Sequence, residues 1–308
     1  MAAEFRRFQP SDVPAFRTLL NERSLDEFDF LRGPQGVDAW LADPFYDPEL
    51  HWLAIENGAL AGFASVFLLN ARTGKWAMVR LGVRESSRRR GLGSGLIDRI
   101  AAGVDERHPD VVELATAYWQ PAPAADPFAA AHGFAPARTF WQMERPRGAS
   151  AEPEWPAGIR LAGHDGSERG YRDINTAYND SFSRHYHSPV TTVEETRALF
   201  TRPGFRTDAY VLAYRGEEPA GFCRCEMHPS GRGEIAIVGT VAAARGIGLG
   251  RALLRWGVAW LERENAERIT LVVDGENENA LRLYRSEGFN VDRTRVVMSR
   301  WRPSIDRR

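Results

Sequence analysis

The stretch TVAAARGIGLGRALL, from Thr240 to Leu254, places glycines at every second position directly before an apolar run. Glycine adopts positive φ readily and lets a ligand approach the main chain closely. The residues that follow are apolar at a helical spacing, at Leu249, Leu253, Trp256 and Trp260. The first turn of a helix has N–H groups without intrahelical acceptors and the positive end of the helix dipole. The stretch therefore predicts an anion-binding turn of the kind that holds a pyrophosphate.

Two arginines add positive charge to this turn, and two common phosphate motifs are excluded. Arg245 precedes the glycines, Arg251 follows them, and arginine can pair with phosphate through two hydrogen bonds. The dinucleotide pattern G-x-G-x-x-G fails because Arg251 stands where its third glycine would be. The Walker pattern fails because no Gly-Lys-Ser/Thr follows. A strand-to-helix turn without a ligand remains an alternative.

The same design recurs earlier as SRRRGLGSGLI, residues 87–97, within a longer repeat. Each half contains, in one order, a strand and turn, a hairpin, a strand, a glycine turn with its helix, another strand and a Gly-Phe pair. A period of about 155 residues suits a duplicated domain. We expect domains at residues 1–147 and 159–308, joined by a linker at residues 148–158. Hairpins combined with crossover helices predict an α/β fold, an α+β mixed-sheet sandwich, for each domain.

Composition limits the classes of function. The 308 residues are 43% hydrophobic and 26% charged with a net charge of −1, so no basic field indicates nucleic acid. No window reaches the roughly 18 apolar residues of a membrane span, and the first residues lack a signal-peptide core. Cys223 and Cys225 are poorly placed to bond each other, because they stand two residues apart on one predicted strand. We expect a cytoplasmic protein without nucleic-acid or membrane partners.

The order of motifs resembles the GNAT acyltransferase superfamily. The R-x-x-G-x-G turn runs from Arg245 to Gly250, and an N-x-x-A-x-x-x-Y pattern runs from Asn277 to Tyr284, followed by Gly288-Phe289. Because the resemblance covers most of both halves, it implies two tandem GNAT domains. It also implies acetyl-CoA as the cofactor, with the pyrophosphate on the glycine turn and the pantetheine arm along the preceding strand.

The resemblance assigns cofactor contacts in both halves. In the second half, the implied contacts are Val238, Gly239, Thr240, Arg245, Gly246, Ile247, Gly248, Leu249, Gly250, Arg251, Asn277, Asn279 and Ala280. A second cofactor site in the first half would consist of Leu81, Val83, Arg88, Arg89, Arg90, Gly91, Leu92 and Gly93.

Transfer of an acyl group to an amine requires removal of a proton from the amine and protonation of the leaving thiolate. Glu234 begins the strand that should line the acceptor site, so its carboxylate is the candidate general base. In the family, a tyrosine at the place of Tyr284 donates to the sulfur, so Tyr284 is the candidate acid. Without the resemblance, Glu234 would be a solvated strand-end residue and Tyr284 an aromatic side chain packed on a helix.

The first half retains the glycine turn but lacks these two groups. Ala77 stands at the position that counting matches to Glu234, and Ala129 stands five residues before Phe134, as Tyr284 does before Phe289. We therefore expect the first domain to be catalytically silent, with or without bound cofactor.

The acceptor is expected to be a primary amine of a small molecule. MHPSGRGEIAIVGTVAAARGIGLG, residues 227–250, resembles the mycothiol synthase family of tandem GNAT enzymes, which implies a cysteinyl-sugar thiol precursor as one possibility. Asn179 and His185 are candidate acceptor contacts. The carboxylates of residues 23–50 could attract an amine, although such runs are commonly solvated. His185, His187 and His228 lack the spacing of a metal site, so no metal is expected.

Two other functions remain open from the sequence. One is a CoA-binding sensor or partner module without turnover, which the combination of Glu234 and Tyr284 argues against. The other is a protein N-acetyltransferase, which would need an open acceptor cleft. Either a monomer whose halves form an internal pseudo-dimer or a homodimer is compatible with the duplication.

Overall fold

The computed structural model describes residues 3–22, 25, 28, 31–32, 35–148, 151–187 and 189–302. The chain divides into two compact units. Unit 1 comprises Met1–Arg138 together with Val296–Arg308, and unit 2 comprises Thr139–Arg295. The domains expected from the repeat are continuous segments of the sequence, whereas these units group residues that lie close together in space. The expected boundaries therefore stay a prediction.

In its described residues, unit 1 contains the first five strands, four α-helices and the end of the last strand. Its strands are β1 (Glu4–Arg7), β2 (Tyr46–Glu56), β3 (Ala59–Leu69), β4 (Lys75–Val83) and β5 (Val111–Trp119), with the end of β12 (Asn290–Trp301). Its helices are α1 (Val13–Leu20), α2 (Gly36–Leu41), α3 (Leu92–Arg107) and α4 (Ala125–Ala131). The strand order is β1-β2-β3-β4-β5-β12. Only the β4–β5 ladder is parallel among the strand registers recorded for this unit.

Unit 2 repeats this arrangement. Its strands are β6 (Ala135–Pro146, from Thr139), β7 (Ile159–Ala162), β8 (Tyr210–Arg215), β9 (Glu218–Met227), β10 (Arg232–Thr240) and β11 (Arg268–Asp274), with the start of β12. Its helices are α5 (Glu168–Ser181), α6 (Val193–Thr201), α7 (Leu249–Arg263) and α8 (Glu278–Ser286). The order is β6-β11-β10-β9-β8-β7, with β10 and β11 parallel.

The strands of each unit are covered by side chains on both faces. In unit 2, the larger core packs α7 against β9, β10 and β11 around Leu253 and Leu261, and a second core packs α5 against the other face around Phe222. In unit 1, α3 packs on one face around Ile100, and α1 and α2 pack on the other around Phe63. The predicted α/β mixed-sheet sandwich is therefore confirmed.

The parallel strands of unit 2 separate along their length. Their ladder runs to the pair Ile235–Leu271, although β10 continues to Thr240 and β11 to Asp274. Beyond Ile235, the peptide groups on the β11 side of β10 therefore face an opening between β10 and β11. We call this opening the splay.

Unit 1 has the same opening between β4 and β5. The ladder there ends at the pair Met78–Ala115, although β4 continues to Val83 and β5 to Trp119. A cavity of about 90 Å³ lies at this place, lined mainly by apolar side chains that include Leu81. No helix in the described part of the chain combines the length and apolar content needed to cross a membrane.

Candidate active site

The glycine turn of unit 2 leaves room for an anion at the start of α7. Gly246 has φ of +79° and Gly248, which precedes the first residue of α7, has φ of +91°. A Cβ built on either glycine would meet no atom within 4 Å. Positive φ is disfavoured for other residues, so the turn depends on glycine while its outer surface stays open. The helix start supplies backbone N–H donors and its dipole, so this turn fits a pyrophosphate.

The two arginines of the turn are engaged within the protein. Nε of Arg245 donates to the carbonyl oxygen of Thr240 at 3.3 Å, and its Nη2 donates to that of Ser181 at 3.2 Å. Arg251 forms an ion pair with Glu287 at 2.5 Å. Both arginines thus brace the turn, and the backbone of the helix start is the group that remains open for phosphate.

The other implied cofactor residues of unit 2 line the turn and the start of α8. Ile247 is 38% exposed at the tip of the turn, whereas Leu249 is buried under it. Asn277 caps α8, since its Oδ1 accepts from the N–H of Ala280 at 3.2 Å. The side chain of Asn279 accepts a hydrogen bond from Arg282. Asn277 therefore has a structural task that is independent of any ligand.

The end of β10 offers backbone groups to the splay. The N–H of Val241 donates to Ala220 on the β9 side at 3.0 Å. Because peptide groups alternate sides along a strand, Gly239 also faces β9, whereas Val238 and Thr240 face the splay. Gly239 in turn lies against α5, since a Cβ there would come within 2.9 Å of the Cβ of Ser181. Val238 and Thr240 are thus placed to pair with an extended ligand.

Glu234 lies on the face of the sheet opposite α7 and is held by two donors. His228 donates from Nε2 to Oε2 of Glu234 at 2.7 Å, and Nη1 of Arg232 donates to the same oxygen at 3.0 Å. The side chain of Glu234 is 21% exposed, whereas His228 and Arg232 are buried. The candidate base is thus a carboxylate that two buried side chains hold in place and that is partly exposed to solvent.

These contacts set the charge of Glu234. Burial disfavours the carboxylate, but the hydrogen bonds from His228 and Arg232 and the charge of Arg232 outweigh it and lower the pKa of Glu234 to about 2. Glu234 is therefore ionised at neutral pH. Neither His228 nor Arg232 was predicted as a partner of Glu234, although both stand within six residues of it in MHPSGRGE.

Tyr284 lies on α8 and is 8% exposed. Its ring packs edge-on against Phe289 with a centroid distance of 6.2 Å. Burial raises the pKa of the phenol, so it keeps its proton at neutral pH. The same unit therefore contains an ionised carboxylate and a protonated phenol.

The glycine turn of unit 1 matches that of unit 2 in its backbone. Nε of Arg88 donates to the carbonyl oxygen of Val83 at 3.1 Å, as Arg245 does to Thr240, and Gly91 has φ of +81° before α3. Leu92 is buried. The surroundings of the remaining implied residues differ from those in unit 2. Arg89 has φ of +64°, and Arg90 pairs with Glu56 at 2.9 Å. A Cβ added at Gly93 would lie 3.0 Å from Phe128.

The strand register corrects one correspondence between the halves. On β9, Gly221 lies opposite Thr240 of β10. Glu226, five residues further along β9, lies opposite Glu234. In unit 1, Gly62 lies opposite Val83, and the residue five positions beyond Gly62 lies opposite Met78. The counterpart of Glu234 is therefore Met78 and not Ala77, because an irregularity between Ile235 and Ile237 adds one residue to β10.

The candidate acceptor residues lie on α5 and in the loop after it. Asn179 donates from Nδ2 to the carbonyl oxygen of Thr191 at 2.9 Å and accepts from the N–H of Thr191 at 3.0 Å. Asn179 thereby holds Thr191, at the end of the loop that carries His185. The ring of His185 lies 4.4 Å from that of Phe182. An acceptor contact by Asn179 or His185 stays a prediction, and Asn179 has a clear role in positioning the loop.

Two further expectations concern metals and acidic residues. Among the described residues, no group of three or more His, Cys, Asp or Glu side chains is arranged to hold a metal ion. His228 instead bonds Glu234. Of the acidic residues in 23–50, Asp26, Glu27 and Asp29 lie outside the described residues.

Comparison with known proteins places this geometry in a family. The model of the acetyltransferase (GNAT) family matches residues 15–134 and 171–289. A mycothiol acetyltransferase of Thermomonospora curvata is 34% identical over 243 residues, covering 77% of each chain. One of Catenulispora acidiphila is 30% identical over 250 residues, covering 77% of this chain and 76% of the relative.

Solved structures share the fold of the whole chain. A GCN5-related N-acetyltransferase of Sphaerobacter thermophilus has a TM-score of 0.71 at 24% identity, covering 99% of this chain and 97% of that one. A tandem GNAT protein of the clavulanic acid biosynthesis pathway has a TM-score of 0.71 at 16% identity, covering 98% and 100%. The two family matches and the repeated splay and glycine turn agree, and this chain belongs to the GNAT acetyltransferase family as a tandem member whose acyl donor is acetyl-CoA.

Proposed function

We propose that the second GNAT domain transfers an acetyl group from acetyl-CoA to a primary amine of a small molecule, with Glu234 as general base and Tyr284 as general acid. One observation carries this proposal. The unit that holds Glu234 in a charged network and buries Tyr284 also has an open glycine turn, whereas the equivalent positions of unit 1 are Met78 and Ala129. The first domain is accordingly proposed to be silent.

The donor would lie along β10. The glycine turn follows the end of β10, and six residues of extended strand separate Thr240 from Glu234, about 20 Å. Val238 and Thr240 face the splay with their peptide groups and are proposed to pair with the pantetheine arm. Bound acetyl-CoA supplies an activated acyl group, and backbone N–H donors of this strand would stabilise negative charge on the acyl oxygen.

Glu234 would act on an amine that arrives neutral. As the amine nitrogen bonds to the acyl carbon it becomes a much stronger acid, so a carboxylate of low basicity is sufficient to take the proton. Because Glu234 is ionised at neutral pH, it is ready for this step without prior deprotonation. Its surface exposure allows transfer either directly or through one water molecule.

Tyr284 would complete the transfer by giving its phenolic proton to the leaving sulfur. The raised pKa of the buried phenol keeps that proton in place until negative charge develops on the thiolate. Glu234 gains one proton and Tyr284 loses one, so the net charge of the two side chains does not change, and proton exchange with water restores both groups.

The acceptor proposed is the amine of a cysteinyl-sugar thiol precursor. Support comes from the mycothiol acetyltransferases to which the chain is similar over about three quarters of its length. We propose a cytoplasmic enzyme, working as a monomer with two pseudo-equivalent halves or as a homodimer.

Release of CoA thiol in the presence of acetyl-CoA and a panel of amines tests the proposal. The panel contains cysteinyl amides, amino sugars, polyamines and a lysine peptide. We expect thiol release with a cysteinyl amide, and about a hundredfold loss in Glu234→Gln. Glu217→Gln, an exposed carboxylate paired with Arg169, serves as the matched control and should retain full turnover. CoA binding without thiol release from any amine would instead identify a binding module, and release with the lysine peptide alone would identify a protein acetyltransferase.

A further inference from the structure

Two donors converge on one oxygen of Glu234. Both the His228 bond at 2.7 Å and the Arg232 bond at 3.0 Å end on Oε2. In the part of the chain that the structure describes, no hydrogen bond is made to Oε1. The carboxylate is therefore asymmetric, with one oxygen fixed and the other available.

The contact with Arg232 sets the hydrogen-bond roles of the two ring nitrogens of His228. Nη2 of Arg232 lies 3.2 Å from Nδ1 of His228, and a guanidinium nitrogen can only donate. In this contact Nδ1 therefore accepts, which leaves Nε2 as the ring nitrogen that donates to Glu234. In this arrangement His228 has no free lone pair with which to accept a proton from the substrate.

Arg232 is itself held in place. It is 6% exposed, and its Nη1 also donates to the hydroxyl of Thr270 at 3.1 Å. That hydroxyl donates to the carbonyl oxygen of Gly233 at 3.1 Å. The Arg232 donors described here thus end on acceptors of β10, of β11 and of the turn before β10, and the guanidinium cannot swing toward a ligand without breaking these bonds.

Other charged groups surround this arrangement without displacing it. Glu226 lies opposite Glu234 on β9, and its carboxylate is paired at 3.3 Å with both Arg202 and Arg224. On the far side, Thr270 lies opposite Glu144 of β6, which pairs with Arg268 at 3.5 Å. Each of these two carboxylates therefore has its own arginine.

We propose that His228 and Arg232 are positioning residues that anchor Oε2 of Glu234, so that Oε1 alone is presented to the acceptor amine. This inference rests on the proposed role of Glu234 as base. It makes His228 a fixed hydrogen-bond donor and excludes it as a second base. It also predicts that a donor at position 228 is required, while the imidazole itself is not.

Three variants of the full-length protein test the inference. His228→Phe removes the donor, His228→Gln retains an N–H donor of similar reach, and His51→Phe makes the same change at a buried histidine of unit 1. With a cysteinyl amide as acceptor, we expect kcat to fall about 10- to 100-fold in His228→Phe, because a loosened base loses its alignment. His228→Gln should stay within about threefold of wild type, and His51→Phe should be unchanged. The KM for acetyl-CoA should not move in any of them.

A second readout does not depend on turnover. The ¹³C shift of the Glu234 carboxyl carbon, assigned by its loss in Glu234→Gln, is followed against pH. Wild type and His228→Gln should stay ionised to the lowest pH at which the protein is folded, whereas His228→Phe should titrate at least about one pH unit higher. Equal kcat and superimposable titrations in His228→Phe and wild type would overturn the inference. If Glu234→Gln itself keeps full turnover, the proposed function fails first, and the titration still decides whether His228 holds the carboxylate.

Discussion

Ala129 occupies in unit 1 the backbone position that Tyr284 occupies in unit 2. The N–H of Phe134 donates to the carbonyl oxygen of Ala129 at 3.0 Å, and the N–H of Phe289 donates to that of Tyr284 at 3.0 Å. Each bond closes a short helix at its Gly-Phe pair. The backbones match at this point while the phenol is present in one unit only, so the two halves differ where the proposed acid is needed.

Tyr284→Phe should lower kcat about a hundredfold and leave the KM for acetyl-CoA nearly unchanged, because it removes a proton donor and keeps the buried ring. Steady-state thiol release measures both constants. Tyr214→Phe is the matched control, since it removes a phenolic oxygen that bonds Asp173 at 2.8 Å in the same unit. A Tyr284→Phe enzyme with wild-type kcat would show that the leaving sulfur is protonated by another group.

Gly248→Ala should weaken CoA binding at the turn of unit 2. An alanine at φ of +91° costs about 1–2 kcal/mol, and relief of that strain would turn the first N–H groups of α7 away from the phosphate. Calorimetric titration with CoA measures the affinity. Gly216→Ala provides the control, because Gly216 has φ of +63° with open space around it in the β8–β9 turn. If both variants lost CoA affinity equally, the loss would come from lower stability of the whole protein and not from a change in the glycine turn of unit 2.

Much of the site could be predicted from local sequence. The glycine turn and the helix after it follow from patterns within about 15 residues. Glu234 and Tyr284 are assigned from the resemblance to the family, and their roles stay predictions. What could not be predicted depends on partners that are distant in sequence or on register. Arg251 pairs with Glu287, which no local pattern indicates. The extra residue in β10 shifted the counterpart of Glu234 from Ala77 to Met78, because residue counting assumes a regular strand.

Strand β6 should decide whether the second half folds alone. It pairs with β11 over seven registered pairs from Arg268–Pro146 to Asp274–Phe140, and Met143 is fully buried in the core beside α7. A fragment of residues 159–308 lacks β6 and exposes the edge of β11, so we expect it to aggregate. A fragment of residues 135–308 retains the strand and should give a dispersed amide NMR spectrum. Two fragments of equal solubility and dispersion would show that β6 is dispensable.

His51 should make the stability of unit 1 dependent on acid. It is fully buried, stacks on Phe8 at a ring distance of 4.4 Å, and bonds the hydroxyl of Tyr46 through Nδ1 at 2.8 Å. Burial lowers the pKa of His51 from 6.5 to about 3, although the charge of Asp12 opposes the shift.

The sign of this dependence follows from proton uptake. Below pH 6.5 the unfolded chain binds a proton at His51 and the folded chain does not, so stability is complete above 6.5 and is lost as pH falls toward 3. The loss is up to about 1.4 kcal/mol per pH unit. His51→Phe removes this slope, while the unpaired hydroxyl of Tyr46 adds a constant cost at every pH. Hydrogen exchange of the amides of Tyr46–Glu56, measured from pH 7 to pH 4.5, should show wild type losing protection relative to the variant as pH falls. Parallel curves for the two proteins would mean that His51 takes up its proton in the folded state.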